Sequence, residues 1–200
     1  MNKIITIARE FGSGGRELGK RIAEELGIAY YDKEIITEVT KKTKLAEEYV
    51  QQIIEQKPFV YYPINIANTF DDSYSSINNI NERIYIEQTN VIKELAEKSS
   101  CVIVGRCADY ILKDLKPFRI FVYSDIDSKV KRCRMKKEFE EEISDKQLAK
   151  KIKKIDKRRK QYYEFYTSQV WGEHLNYDIC INTSGKTVKE AVQTILSILK

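Results

Sequence analysis

The sequence predicts an α/β fold in which a parallel sheet is covered by helices on both faces. Short apolar strand candidates, rich in β-branched residues, alternate with segments in which apolar residues recur every three or four positions. A glycine-rich turn separates the first strand candidate from the first helix candidate. Ligands of such sheets bind at the carboxyl ends of the strands, so the turns after the strands are the first places to look for a site.

The strand candidates are short, and each is followed by a turn or by a helical pattern. They are residues 3–8, 28–31, 101–104, 118–123 and 177–182. The first helix is predicted over 16–26, where Leu18, Ile22 and Leu26 share one face. Gly27 is expected to end this helix in a left-handed conformation.

The middle of the chain is mostly helical in pattern. Residues 33–100 are expected to form helices, with interruptions around 58–63 and in the Asn/Ser/Asp-rich stretch 68–81. Later helices are predicted over about 126–138, capped by Asp125 or Asp127, over about 146–166, and over 188–199.

Length and composition indicate a globular protein of one domain, residues 1–200. The chain has 200 residues, of which 42% are hydrophobic and 32% charged. It contains no apolar run of the roughly 18–20 residues that a membrane span needs, and residues 1–7 do not read as a signal peptide, so a cytoplasmic location is expected. Its four cysteines show no CxxC spacing, which argues against a zinc site or a redox pair.

Positive charge is concentrated in one segment. Residues 129–160 hold 15 lysines and arginines and six acidic residues, a net charge of +9, whereas the whole chain carries +5. Such a local cluster suits an anionic ligand such as a phosphate group, or nucleic acid.

The turn after the first strand has the composition of a phosphate-binding loop. Gly12, Ser13, Gly14, Gly15, Arg16 and Glu17 follow the strand and open the first helix. Glycines allow backbone N–H groups to point inward, and the helix dipole places positive potential at the same point. These six residues are therefore the candidate nucleotide-phosphate site.

Two registers of this loop are open. The segment 14–20 satisfies the pattern GxxxxGK, with Lys20 as the lysine and Arg21 where Ser or Thr is expected. Alternatively the loop starts at Arg9 and ends at Gly15, so that Gly15 occupies the lysine position and Arg16 is the nearest cation. The second register is favoured because it follows the strand directly and leaves Leu18 on the helix stripe.

The same motifs, in the same order, resemble the cytidylate kinase-like family. The resemblance rests on Gly12-Ser13-Gly14-Gly15-Arg16-Glu17-Leu18, Tyr31-Asp32-Lys33-Glu34, Val102-Ile103-Val104-Gly105-Arg106, Trp171-Gly172 and the segment 176–184. It implies the P-loop NTPase fold with a five-stranded parallel sheet, a helical substrate-binding insertion at about 37–95 and a short lid at about 136–147. It also implies a kinase that uses ATP and Mg²⁺.

The acceptor site is expected after the second and third strands. Asp32 ends a strand on the ligand side, where its carboxylate suits Mg²⁺ or an acceptor hydrogen bond; the alternative is a cap for the helix after it. The resemblance makes Arg106 an acceptor-binding residue, with Cys107 in place of the family's aspartate. Asp109 lies three residues after Arg106 and is expected to orient it.

Arginines near the predicted lid are the candidate catalytic groups together with Arg16. In this fold, lid arginines close over the phosphates and stabilise their charge. The candidates are Arg132, Arg134, Arg158 and Arg159, and the alternative is a solvated charged helix. His174 and the tyrosines at 162, 163 and 166 are interpreted as structural.

The resulting prediction is a kinase that phosphorylates a small acceptor, with a nucleoside monophosphate favoured. The chain has Lys160-Gln161-Tyr162-Tyr163 where cytidylate kinases carry further arginines and an aspartate, so another nucleotide, or another small hydroxyl or phosphate compound, is an open alternative. A nucleotide-binding protein without catalysis is a second alternative, because the standard lysine is absent. A nucleic-acid-binding module is the third and is not favoured, since the glutamates at 138, 140, 141 and 142 interrupt the basic segment.

Overall fold

Strands and helices alternate along most of the chain, as expected. The computed structural model describes residues 2–54, 73–137 and 143–199. The strands are Ile4–Arg9 (β1), Ala29–Tyr31 (β2), Cys101–Val104 (β3), Phe118–Tyr123 (β4) and Ile179–Asn182 (β5). The helices are Gly15–Leu26 (α1), Glu34–Thr43 (α2), Glu47–Ile54 (α3), Ser73–Lys98 (α4), Ala108–Ile111 (α5), Ile126–Met135 (α6), Asp145–Thr167 (α7) and Val188–Leu199 (α8).

The five strands form one parallel sheet in the order β2-β3-β1-β4-β5. The predicted fold class, a five-stranded parallel sheet flanked by helices, is therefore confirmed. The central strand β1 is hydrogen-bonded to β3 on one side and to β4 on the other. Its last residue, Arg9, consequently lies at the carboxyl edge of the sheet, between the turns that follow β3 and β4.

Each face of the sheet has its own apolar core. Ile5 and Ile7 point from β1 to the face covered by α1 and α8, where Leu18, Ile22 and Ile195 are fully buried. Cys101 and Ile103 point from β3 to the other face, which α2, α3, α4 and α7 cover. Because β1 and β3 contribute side chains to both faces, their sequences are apolar without alternation.

Local signals in the sequence account for several helix ends. Gly27 has φ 63° and ends α1 in the left-handed conformation, as predicted. Asp125 caps α6, since its Oδ1 accepts the N–H of Ser128 at 2.7 Å. Ser144 and Gln147 form a capping box at the start of α7.

Two boundary predictions need correction. The interruption expected at 68–81 does not extend over residues 73–81, which belong to α4; packing of α4 against α2 outweighs the weak helix propensity of its Asn and Ser residues. The helix predicted to 138 ends at Met135. The interruption predicted around 58–63 lies outside the described residues.

The two substructures expected around the active site fall on recognisable parts of the fold. The predicted insertion at 37–95 covers most of α2, all of α3 and most of α4, and the predicted lid at 136–147 covers the connection from α6 to α7. Their functions remain predictions, and residues 55–72 and 138–142 lie outside the described part. No helix of the described chain is both long and apolar enough to cross a membrane.

Candidate functional site

The glycine-rich loop comprises residues 10–14, between the end of β1 and the start of α1. Gly14 precedes the helix with φ 85°, and Gly12 has φ 72°. Residues 15–20 are helical, so the segment 14–20 is not a loop; the geometry agrees with the register that starts at Arg9. Lys20 lies on α1 with 66% of its side chain exposed and faces Glu24.

The loop packs closely against the helices that follow β4 and β5. A Cβ atom on Gly12 would lie 3.0 Å from the sulfur of Cys133 in α6, and one on Gly14 would lie 2.8 Å from Val188 at the start of α8. Both positions also have positive φ values, which L side chains rarely adopt. Close approach and backbone conformation together require glycine at these two positions.

Arg132 holds the loop from the outside. Its Nη1 donates to the carbonyl oxygen of Gly12 at 2.6 Å, and its Nη2 donates to the carbonyl oxygen of Thr183 at 3.0 Å. The Thr183 hydroxyl in turn donates to the carbonyl oxygen of Ser13 at 2.7 Å. Carbonyl oxygens repel anions, so engaging these two loop carbonyls with donors makes the loop a better anion site.

An ionic cluster around the buried ammonium of Lys129 lies beneath the same loop. The ammonium of Lys129 is 2.8 Å from Glu10 Oε2 and 2.9 Å from Asp156 Oδ2. Asp156 Oδ1 accepts the N–H of Phe11 at 2.6 Å, and Glu10 Oε2 accepts the N–H of Ser124 at 3.1 Å. Burial raises the pKa of Asp156, and the Phe11 N–H and Lys129 oppose that rise. The cluster fixes the first two loop residues to α6 and α7.

A cavity of about 430 Å³ opens above the loop at the carboxyl edge of the sheet. Residues that the sequence predicted for the site line this cavity: Gly12, Gly14, Gly15, Arg16, Glu17, Asp32, Arg132 and Arg159. Further cations, Arg9, Lys20, Lys33 and Lys136, line it as well, so that cationic side chains outnumber acidic ones in its wall. The volume and the positive wall suit a ligand the size of a nucleotide with several phosphates.

Asp32 is the buried carboxylate of this cavity. Its Oδ2 lies 2.6 Å from Nε of Arg16, whose side chain is half exposed. Its Oδ1 is buried and makes no hydrogen bond within the described residues. The residue does not cap α2, which begins after Lys33 without a side-chain cap. A buried carboxylate oxygen without a donor has the chemistry of a Mg²⁺ ligand, so the site suits the metal that the resemblance implies.

A second, smaller cavity of about 40 Å³ adjoins the turn after β3. Gly105, Arg106, Cys107 and Asp109 line it, together with aromatic residues from α7 and the segment after it: Tyr162, Tyr163 and Trp171. Arg106 and Cys107 have φ values of 58° and 56°, a left-handed conformation that costs energy for residues with a Cβ atom. Gln88 of α4 supports the turn by donating to the carbonyl oxygen of Arg106 at 3.1 Å.

Asp109 is buried behind this second cavity. Its Oδ2 accepts a hydrogen bond from the Tyr163 hydroxyl at 2.7 Å. Burial raises the pKa of Asp109, and the hydrogen bond from Tyr163 opposes the rise. Its expected role in orienting Arg106 stays a prediction, since the carboxylate is hydrogen-bonded to Tyr163.

The four arginines predicted near the lid occupy two kinds of place. Arg132 and Arg159 line the larger cavity, and Arg159 also donates to the carbonyl oxygen of Arg9 at 3.3 Å and lies over the ring of Phe11. Arg134 donates instead to Asp145 and to the carbonyl oxygen of Ile143, and Arg158 is exposed on α7. The structure therefore brings only the first two to the cavity as it stands.

The residues interpreted as structural have structural surroundings. Tyr162 and Tyr163 are buried, and Tyr166 stacks on Tyr85 of α4 with ring centroids 3.8 Å apart. His174 is exposed and its Nδ1 lies 2.6 Å from Glu173. None of these arrangements requires a role in catalysis.

Sequence reasoning missed Arg9, Glu10, Lys129 and Thr183. Arg9 ends a buried strand, and an arginine in that position is the one signal that was available. Lys129 is one of 15 cations in residues 129–160, so its burial cannot be read from the charge pattern.

Comparison with known proteins gives a consistent picture. The profile of the cytidylate kinase-like family matches residues 4–185. An uncharacterized protein from Eubacterium ventriosum is 32% identical, with 98% of each chain covered and a TM-score of 0.70. Shikimate kinases from Bacteroides thetaiotaomicron and Acinetobacter baumannii are each 16% identical, with TM-scores of 0.59 and 0.53. The alignment with the Bacteroides enzyme covers 98% of each chain. The alignment with the Acinetobacter enzyme covers 100% of this chain and 93% of that enzyme. Curated proteins gave no match.

Proposed function

The chain belongs to the cytidylate kinase-like family, and we propose that it transfers the γ-phosphoryl group of ATP to a small acceptor, with a nucleoside monophosphate favoured. The shikimate kinases among its structural relatives share the fold at low identity and support the P-loop architecture alone. The proposal beyond the fold rests on the site.

The observation that carries this proposal is the pair of adjoining cavities at the carboxyl edge of the sheet. The larger one lies over the glycine loop and the N-terminus of α1, which suits the phosphates of ATP. The smaller one contains Arg106, a cation suited to an anionic acceptor. Phosphoryl transfer needs donor and acceptor positioned in line and charge stabilised between them, and two neighbouring cationic sites provide that arrangement.

Each group has a defined part in this proposal. Loop N–H groups and Arg16 bind the donor phosphates, and Asp32 holds Mg²⁺ directly or through water. Bound Mg²⁺ would neutralise charge on the phosphate oxygens. Arg106 binds the acceptor, and Arg159 and Arg132 supply positive charge at the donor side.

A nucleotide-binding protein without catalysis is the second candidate function. Gly15 stands at the position of the standard loop lysine, which normally reaches the phosphates of the donor. In this case the larger cavity binds ATP while the smaller one serves no acceptor.

The test is to incubate purified protein with ATP, Mg²⁺ and one acceptor at a time, and to measure ADP formed per enzyme. The panel is CMP, dCMP, UMP, AMP, GMP, dTMP and, as a hydroxyl acceptor, shikimate. Turnover within the usual kinase range of roughly 1–100 s⁻¹ on one nucleotide supports the proposal and identifies the acceptor. ATP binding by calorimetry without acceptor-dependent ADP favours the second candidate.

A further inference from the structure

The position of the standard loop lysine is filled in space by another residue. A Cβ atom on Gly15 would lie 2.6 Å from Cβ and 3.1 Å from Cγ of Arg9. Any side chain at 15 would therefore collide with Arg9, which occupies the room that a lysine at 15 would need. The side chain of Arg9 and a lysine at position 15 therefore exclude each other sterically.

The guanidinium end of the Arg9 side chain packs against a second glycine, Gly105. A Cβ atom on Gly105 would lie 2.7 Å from Cζ of the Arg9 guanidinium, and φ at Gly105 is 77°. The side chain thus runs from the start of α1 towards the turn after β3, in a channel that two glycines leave open. Since Gly105 precedes Arg106, the channel connects the glycine loop to the acceptor side.

Arg9 and Arg159 are the residues that the two described cavities have in common. A phosphoryl group moving from donor to acceptor passes between these cavities. A guanidinium at their shared wall can approach the oxygens of the moving group on both sides of the transfer, which is where positive charge lowers the barrier.

Arg9 lies among other guanidiniums. Burial and the neighbouring guanidiniums of Arg159, Arg106 and Arg16 lower the pKa of Arg9 to about 9, and Asp32 opposes this effect. At neutral pH the side chain still carries its charge. An anion bound at this point would be attracted by the combined charge of these guanidiniums.

We propose that Arg9 performs the role of the missing loop lysine, contacting the γ-phosphoryl group of the donor at the boundary of the two cavities. This inference rests on the proposed function, because it assumes that the larger cavity binds ATP. It differs from the sequence-based expectation, in which Arg16 is the substitute. Arg16 lies on α1 with 53% of its side chain exposed and is engaged by Asp32.

The test compares Arg9→Gln with Arg16→Gln and with a control, Arg119→Gln. Arg119 pairs with Asp178 near the amino-terminal end of β4 and lines neither of the two cavities. Calorimetry gives the Kd of ATP and of ADP for each protein, and the acceptor assay gives kcat. Arg9→Gln is expected to raise the Kd of ATP at least tenfold, to raise that of ADP less, and to lower kcat by about 10²–10³-fold.

A relocation variant checks the spatial argument. Arg9→Gly combined with Gly15→Lys removes the colliding atoms and returns a cation to the standard position. We expect this double variant to bind ATP more tightly than Arg9→Gly alone. Circular dichroism and thermal unfolding verify that each variant is folded before its binding is compared.

Several outcomes would overturn the inference. The inference is wrong if the Kd of ATP and the kcat of Arg9→Gln lie within threefold of the Arg119→Gln values. It is also wrong if Arg9→Gln loses ATP affinity and ADP affinity to the same extent. A wild-type protein that binds ATP but phosphorylates no acceptor would refute the proposed function alone; the ATP and ADP affinities of Arg9→Gln would then still decide the role of Arg9.

Discussion

Asp156 of α7 holds the backbone of Phe11, with 2.6 Å between its Oδ1 and the Phe11 nitrogen. The same carboxylate binds the buried ammonium of Lys129 through Oδ2 at 2.9 Å. One side chain thus ties the glycine loop to both helices that flank the predicted lid. Movement of α7 relative to α6 would be transmitted to the loop through this contact.

Replacing Asp156 should loosen the loop as well as destabilise the fold. Asp156→Ala removes the acceptor for Phe11 and one of the two counter-ions of Lys129, and we expect a loss of about 2–3 kcal/mol in the free energy of unfolding. Asp156→Asn keeps the acceptor and should lose less, about 1 kcal/mol. Urea unfolding measures both.

The exposed residue Asp114 provides the control for Asp156. Asp114→Ala and Asp114→Asn should each change the free energy of unfolding by less than about 0.5 kcal/mol. If Asp156→Ala behaves like Asp114→Ala, the cluster beneath the loop does not stabilise it.

Arg132 should act through the loop that it holds as well as through its charge. Arg132→Lys cannot reach the carbonyl oxygens of both Gly12 and Thr183, so we expect faster amide hydrogen exchange over residues 11–15 and weaker ATP binding. The loss of one charged hydrogen bond corresponds to about 1.5–3 kcal/mol. Arg119→Lys is the control, and unchanged exchange in the loop would contradict the assignment.

Much of this architecture is visible in the sequence because its signals are local. β1 and β3 are runs of apolar residues, and Gly12 and Gly14 follow β1 at once, so strand, loop and helix can be read from neighbouring residues. Gly27 ends α1 for an equally local reason.

The residues that complete the site depend on contacts between distant segments. Lys129 resembles every other lysine of its basic segment, and only the approach of Glu10 and Asp156 gives it a buried place. Arg9 acquires its position because Gly105, almost a hundred residues away, lacks a side chain. Sequence spacing contains no information about either contact. The glycine loop could therefore be predicted, whereas the residues that pack around it, Lys129 and Arg9, could not.

Asp109 predicts a specific dependence of stability on pH. Burial raises its pKa in the folded protein, so the folded state holds this proton more tightly than the unfolded state. The resulting stabilisation is complete below the ordinary value of 3.8 and is lost as the pH rises through the folded-state pKa. Asp109→Asn should remove this loss, because an amide still accepts from Tyr163 and has no charge to bury.

Asp178 offers the opposite case for comparison. The hydrogen bond from Arg119 lowers its pKa, so its stabilising contribution is present above the ordinary value of 3.8 and disappears as the pH falls through the folded-state pKa. The side chains of Arg119 and Asp178 are each about one-third exposed (34% and 36%), so the effect of this pair is expected to be small. Thermal unfolding of wild type, Asp109→Asn and Asp178→Asn from pH 3 to 8 tests both signs. If the slope above pH 4 stays unchanged in Asp109→Asn, its assignment is wrong.

Asp32 should connect the donor site to Mg²⁺. Asp32→Asn keeps the shape of the side chain but removes the charge that a metal ligand supplies, and Oδ1 is the buried atom without a hydrogen bond among the described residues. We expect the Mg²⁺ concentration for half-maximal turnover to rise at least tenfold. Paramagnetic resonance of Mn²⁺ with ATP should show a parallel loss of bound metal, which does not depend on turnover.

A structural role for Asp32 predicts a different result. If the carboxylate serves only as the counter-ion of Arg16, Asp32→Asn lowers thermal stability while the Mg²⁺ and Mn²⁺ curves stay in place. Arg16→Gln separates the two roles further, because it removes the ion pair and leaves the carboxylate available. Metal binding that survives in Arg16→Gln and fails in Asp32→Asn would assign the metal to Asp32, since the carboxylate is then the one group whose loss matters.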